Sequence, residues 1–308
     1  MKSIEEYISE QLEKHLNIEY KLFENAGLYD GIEDLARFLT NKIKSHQEKE
    51  FKLIYKNDDV EISKLKNIFF KSIILNCERS NGYDNEGKYI INSEIDYDAN
   101  ADKLNYVLIS LELSVKHEPE DVYFILIHEL THAWDNFNHI KRYSKPYSKS
   151  KTGQIYNRFT NSMDEGELIG KILYFINDIE INAWVASFAG YLYDYIEDNT
   201  IDNPHKALEI IKASPLYKNY INIGEYVTAM YNNDNRYISK EFMHNCCKEY
   251  NKIYGKNYTD EKVRKQLYIQ YKKAMQRIES NIGKLCTRYV KNLSFKDKNP
   301  KTIQINNQ

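Results

Sequence analysis

The stretch His128-Glu129-Leu130-Thr131-His132 decides how the whole sequence is interpreted. In an α-helix, residues four positions apart lie on nearly the same face, about 6 Å apart along the axis. His128 and His132 can therefore direct both imidazoles at one tetrahedral cation. Glu129 lies one position further round the helix, within reach of a water on that cation. The pattern predicts a helix with two metal ligands, His128 and His132, and a general base, Glu129.

The residues around this stretch also favour a helix, over about 119–137. Pro119 suits a first helical turn, and the acidic residues beside it suit the positive end of the helix dipole. An apolar surface surrounds the motif: Val122, Ile125, Leu126, Leu130 and Ala133. Two histidines and a glutamate in such a surface would be costly unless a partner satisfied them. We therefore favour a metal site over a chance occurrence of the motif.

A third ligand must come from another element, because catalytic zinc has three protein ligands and keeps a fourth position for water. Glu180 is the best candidate, since small residues on its helical face allow another helix to approach closely. The residues on that face are Ile176, Ala183, Ser187 and Gly190. Asp178 has bulkier neighbours, and Glu165 and Glu167 lie near a helix start, where carboxylates are expected for another reason. Glu167 and Asp178 remain the alternatives, and a solvated carboxylate is the plainer interpretation of Glu180.

Other polar residues suit supporting roles. Asp135, just past the motif, could orient an imidazole. The donor that stabilises the transition state could be His205, His244 or one of several downstream tyrosines, among which the sequence does not choose. His117 and His139 fall outside the helical spacing of the motif and suit surface or capping roles.

Two segments together carry a resemblance to a known family. HELTHAWD at 128–135 and EINAWVASFAGYL at 180–192 resemble the gluzincin branch of zinc metallopeptidases. The second segment is also similar to ImmA/IrrE-type peptidases, and the composition is similar to that of predicted zinc proteases of crAss-like phages. The gluzincin resemblance implies His128, His132 and Glu180 as Zn²⁺ ligands and Glu129 as the base. It also implies a zincin-like α+β fold, with a short twisted sheet packed on the motif helix.

The rest of the chain divides into a mixed first part and a helical second part. Strands are predicted over 51–56, 69–78, 88–97 and 104–115, after helices over 3–23 and 31–47. Further helices are predicted over 165–197, 204–213, 217–231, 239–254 and 260–292. The basic segment 141–154 is predicted to be a loop, with a lid over the cleft as the alternative. We expect three regions: 1–115, 116–200 (the zincin core with the preceding sheet) and a helical subdomain over 201–308.

Composition limits the partners and the compartment. The formal net charge is −2, so no nucleic-acid partner is expected, and the sequence has no apolar run long enough for a membrane span. The N-terminal residues lack the pattern of a secretory signal, which predicts a location in the cytoplasm of a host cell or in a virion. Cys246 and Cys247 are adjacent and suit neither a disulfide framework nor, with His244, a metal site. Free thiols are expected.

The motif therefore predicts a zinc metallopeptidase that acts on a protein or peptide substrate. The large helical second half also allows a structural protein of a phage virion or head–tail assembly that retains a zincin-like fold, with virion proteins as partners. A regulatory protease that cleaves a repressor is the third possibility, and the sequence has no helix-turn-helix signal to support it.

Overall fold

The computed structural model describes residues 26–65, 67–80, 86–90, 103–114, 119–143, 145–164, 168–198, 201, 203–234 and 238–298. The chain forms two compact units, residues 1–133 and 134–308, and the boundary falls inside one helix. The predicted α+β class and the helical second half are confirmed. The division into three regions stays a prediction. The helix predicted over 3–23 lies outside the described residues.

The first unit contains a helix and a four-stranded sheet. Its elements are α1 (Ala26–Lys44), β1 (Glu50–Lys56), β2 (Phe70–Ser80), β3 (Glu86–Ile90), β4 (Leu104–Ser114) and the beginning of α2 (Pro119–Tyr143). The strand order is β1-β2-β4-β3. The two central strands, β2 and β4, pair in parallel, and each edge strand pairs antiparallel to its neighbour. The predicted strands over 51–56, 69–78 and 104–115 are confirmed. Of the third predicted strand, 88–97, residues 88–90 belong to β3 and residues 91–97 lie outside the described residues.

Strand β4 leads to the motif helix and shows the predicted alternation. One face is buried along the strand: Val107, Ile109, Leu111 and Leu113. On the other face Glu112 is exposed, whereas Ser114 at the end of the strand is only 1% exposed. The apolar face of this central strand packs into a hydrophobic core.

Helix α1 packs through a stripe at helical spacing, which is formed by Ile32, Leu35, Ala36, Leu39 and Ile43. The helix begins five residues earlier than the predicted range 31–47 and ends three residues earlier. It ends at Lys44 because Ser45 and His46 turn their side chains back onto the carbonyl of Lys42. Such local hydrogen bonds compete with continued helix.

The described secondary-structure elements of the second unit are all helices. After the end of α2 come a 3₁₀ helix (Tyr147–Lys149), α3 (Lys151–Asp164), α4 (Leu168–Phe175), α5 (Asp178–Asp198), α6 (Pro204–Ala213), α7 (Pro215–Asn232), α8 (Lys240–Tyr254) and α9 (Asp260–Lys298). The last four helices match their predicted ranges closely. None of the described helices has both the length and the apolarity that a membrane crossing needs.

The prediction of a loop over 141–154 is wrong. Helix α2 continues to Tyr143, six residues past its predicted end, and α3 already begins at Lys151. Pro146 precedes the 3₁₀ helix, and the Ser150 hydroxyl accepts a hydrogen bond from the Gly153 N–H at 2.9 Å. Serine in this position caps a helix, so Ser150 marks the beginning of α3.

The single helix predicted over 165–197 is also wrong, because it is interrupted at Ile176 and Asn177. The Asn177 side-chain oxygen accepts a hydrogen bond from the Ile179 N–H at 2.8 Å and so begins α5 as an N-cap. This break places Glu180 in the first turn of a helix.

Two apolar clusters organise the second unit, and α9 contributes to both. Val263 and Leu267 belong to the first cluster, and Ile278 and Ile282 belong to the second. The last helix therefore packs against the other helices of the second unit. At Gly224 in α7 a Cβ atom would lie 2.0 Å from the Tyr271 hydroxyl of α9, so a larger residue there would require the Tyr271 side chain to move.

The four cysteines, Cys77, Cys246, Cys247 and Cys286, are free and buried, as expected.

Candidate metal centre

Helix α2 presents its two histidines as a close pair. His128 and Glu129 are 8% and 6% exposed, in a segment whose apolar residues Leu130 and Ala133 are fully buried. The Nε2 atoms of His128 and His132 lie 3.1 Å apart. Two nitrogens each bound to a tetrahedral zinc ion at its usual bond length would lie roughly 3.3 Å apart. The spacing of four residues on one helical face therefore produces the separation that two ligands of one ion need.

Glu180 is the third residue of α5, and its side chain is 0% exposed. The first turn of a helix has unpaired backbone N–H groups and a positive dipole end, which favour a carboxylate. Ala183 and Ser187 are buried on the same helix, as the predicted face requires, but Ile176 lies in the preceding turn and not on that face. The helix break thus gives the buried carboxylate an electrostatic partner that the sequence prediction missed.

His128, His132 and Glu180 form a group that could hold a metal ion. Each offers one ligand atom, and these atoms all lie within 4.8 Å of one another. Within the described part of the chain, no other group of three histidine, cysteine or acidic side chains meets this condition. A carboxylate with no solvent exposure is costly unless it is paired or coordinates a metal. The burial of Glu180 therefore fits a cation at this position.

Two tyrosines lie beside Glu180, and the sequence analysis did not single them out. The Tyr156 hydroxyl donates a hydrogen bond of 2.5 Å to Oε1 of Glu180. The ring of Tyr147 lies 6.3 Å from that of Tyr156, centroid to centroid. Burial, reinforced by the negative charges of Asp178, Asp135 and Glu180, raises the pKa of Tyr147 to about 12. The Tyr147 phenol therefore stays protonated at neutral pH and can donate a hydrogen bond.

The segment before α3 holds Tyr147 in place. Its backbone N–H donates to Oδ1 of Asn136, one turn beyond His132 on α2, at 3.1 Å. A Cβ atom at position 153 would lie 2.0 Å from the Tyr147 carbonyl oxygen, so Gly153 allows this close approach. The sequence held a weak signal, because a glycine inside a helical pattern costs stability and is often kept for packing.

The alternative ligands do not join the group in the described structure. Asp178 is exposed and forms an ion pair of 2.6 Å with Arg277. Glu165 and Glu167 lie outside the described residues. Asp135 lies near Tyr147, where its charge contributes to the raised pKa of that phenol. Its predicted role in orienting an imidazole stays a prediction.

The remaining histidines occupy other surroundings. His205 is exposed, and His244 is exposed and lies 2.7 Å from Asp260. His139 is half-buried, and its Nδ1 lies 2.9 Å from the carbonyl oxygen of Lys145. His117 lies outside the described residues. Cys246 and Cys247 form no three-residue ligand group with His244 within the structure's described ranges.

Comparisons with known proteins do not indicate a function for this site. No protein-family model, no curated protein and no solved structure matches this chain. The functional interpretation therefore depends on His128, Glu129, His132 and Glu180 themselves.

Proposed function

We propose that this chain is a zinc metallopeptidase of the gluzincin type, with a zincin-like fold. The observation that carries the proposal is the group formed by His128, His132 and Glu180, beside the buried Glu129. Two imidazoles and one carboxylate are a ligand set of catalytic zinc sites, which keep a further position for water. A mixed sheet whose central strand β4 precedes the motif helix supports the zincin-like part of the proposal.

Each residue of the site has a role in this reaction. Zinc bound by His128, His132 and Glu180 would polarise the substrate carbonyl and lower the pKa of a bound water towards about 7. The Glu129 carboxylate accepts a proton from the attacking water as the oxygen adds to the carbonyl carbon. The same group then donates that proton to the amine nitrogen as the peptide C–N bond breaks. Because Glu129 has little solvent exposure, it exchanges this proton with the reactants more readily than with bulk water.

Glu129→Gln tests the proposal, because glutamine keeps the shape of the side chain and cannot accept the proton. We expect the variant to retain about one equivalent of zinc and to lose cleavage of an unfolded protein substrate by roughly 10²–10⁴-fold. Glu112→Gln, the same change at an exposed position of β4, is the matched control and should cleave like the wild type. Equal cleavage by the Glu129→Gln variant and the wild type would refute the mechanism.

A structural role in a phage virion or head–tail assembly is the second candidate. It is favoured by the helical second unit, which builds two apolar clusters and exposes Tyr226, Tyr231 and Phe242 by 39–46%. Exposed aromatic residues are common at protein interfaces. Sedimentation of the native protein distinguishes the candidates. A peptidase that acts on soluble substrates should sediment alone, whereas a virion component should remain with the particle at a fixed copy number.

A further inference from the structure

We infer that Tyr156 is a positioning residue of the metal centre, which holds one oxygen of Glu180 so that a cation is met by the other. The inference rests on the proposed metal site and extends it to a residue on a different helix. Its starting point is the hydrogen bond from the Tyr156 hydroxyl to Oε1 of Glu180, which is 2.5 Å long.

The tyrosine ring is held firmly enough to position a partner. Tyr156 lies on α3 and packs edge-to-face on Phe159, with the ring centroids 5.1 Å apart and the planes at 84°. The ring of Tyr147 also contacts the Tyr156 ring, with the ring centroids 6.3 Å apart and the planes at 67°. The Tyr156 carbonyl also accepts a hydrogen bond from the Thr160 hydroxyl at 3.1 Å. The hydroxyl therefore reaches Glu180 from a ring that is fixed by its neighbours.

This hydrogen bond determines how the carboxylate of Glu180 is oriented, because Glu180 is shielded from water. Its carboxylate is fully buried, so water cannot readily replace a lost donor. A carboxylate can bind a metal through one oxygen or through both. A phenol that occupies one oxygen fixes the rotation of the carboxylate and favours binding through a single oxygen. With two histidines, that arrangement suits a four-coordinate ion with one position for water.

Hydrogen-bond partners of metal ligands have measurable effects on affinity. Removal of such a partner typically weakens metal binding by about 10–100-fold. The effect should be specific to the hydroxyl group, because phenylalanine at position 156 keeps the ring contacts. Tyr156→Phe therefore removes the hydrogen bond to Glu180 and leaves the packing of the ring unchanged.

The test compares Tyr156→Phe with Tyr254→Phe, a tyrosine that packs against the same apolar cluster. Zinc affinity is measured by competition with a chromophoric chelator, and the visible spectrum is recorded with Co²⁺ in place of zinc. We expect Tyr156→Phe to bind zinc roughly 10–100-fold more weakly. Its Co²⁺ absorption should also weaken, because binding through both carboxylate oxygens raises the coordination number. Tyr254→Phe should match the wild type in both measurements.

A double-variant comparison shows whether Tyr156 acts through Glu180. In a Glu180→Ala background, Tyr156→Phe should have no further effect on the residual binding of Co²⁺. An unchanged zinc affinity and an unchanged Co²⁺ spectrum in the single variant would overturn the inference and leave the proposed function standing. Failure of the wild type to bind either ion would instead overturn the proposed function.

Discussion

The group His128–His132–Glu180 and the pair His244–Asp260 combine the same kinds of side chain in opposite surroundings. Glu180 is 0% and His128 is 8% exposed, whereas the side chains of His244 and Asp260 are 52% and 43% exposed. Water satisfies the exposed pair, so its contact of 2.7 Å needs no other explanation. Water cannot stabilise the charge of the fully buried Glu180 in the same way, so the buried group fits a bound cation. Burial, and not the proximity of histidine to an acid, distinguishes the candidate site.

The sharpest way to break this comparison is to remove one carboxylate from each place. Glu180→Ala should lose about one equivalent of zinc, because two histidines alone bind it weakly. Asp260→Ala should retain it. The zinc content of the dialysed proteins, measured by atomic emission, checks both expectations. Zinc retained by Glu180→Ala would move the third ligand to Glu167, the predicted alternative outside the described residues.

Removal of the metal should lower the stability of the protein by an amount set by mass action. With free zinc at a hundred times its dissociation constant, the free energy of unfolding should rise by about 2.7 kcal/mol relative to the metal-free protein. Chelator and zinc titrations followed by thermal unfolding measure this difference. His132→Ala should abolish it and His244→Ala should preserve it. The same zinc response in both variants would mean that the group His128–His132–Glu180 is not the binding site.

The exposed pair should contribute little to folding. His244→Ala is expected to change the free energy of unfolding by at most about 1 kcal/mol, because solvent screens a surface ion pair. Urea unfolding in the presence of chelator isolates this effect from metal binding. A loss of several kcal/mol in the free energy of unfolding would show that the pair His244–Asp260 contributes more to folding than its solvent exposure indicates.

The smallest expected effect is on stability at high pH. Burial raises the pKa of Tyr147 from 10.0 to about 12. The folded state therefore keeps a proton that the unfolded state releases, and stability present below pH 10 is lost as the pH rises through 12. Urea unfolding at several alkaline pH values should show a smaller decline for Tyr147→Phe than for the wild type. An equal decline would place the alkaline sensitivity elsewhere, for example at Tyr254, whose pKa burial also raises to about 12.

The local part of the fold could be predicted from the sequence. The alternation in β4 and the spacing of His128 and His132 each depend on one element, and period-two and period-3.6 patterns report such elements directly. The selection of Glu180 also came from a helical face. The helix break at Asn177 was missed because a continuous apolar pattern outweighed a single capping residue.

The parts that escaped prediction depend on tertiary packing. The contact between Tyr156 and Glu180 joins residues 24 positions apart on different helices, and no local pattern marks it. Tyr156 is also one of 27 tyrosines, so its type carries little information. The strand order, with β3 at the edge and β2 paired to β4, likewise depends on long-range pairing.

The buried cysteines bear on which metal ions the protein can take up in a mixed supply. Only a thiolate competes well for soft ions such as copper(I). Burial raises the pKa of Cys247 and Cys286 to about 11 and that of Cys77 to about 12, so these thiols stay protonated at neutral pH. Soft ions therefore bind these thiols weakly. The imidazole and carboxylate ligands then determine which metal the protein binds, and such ligands favour zinc and similar borderline ions.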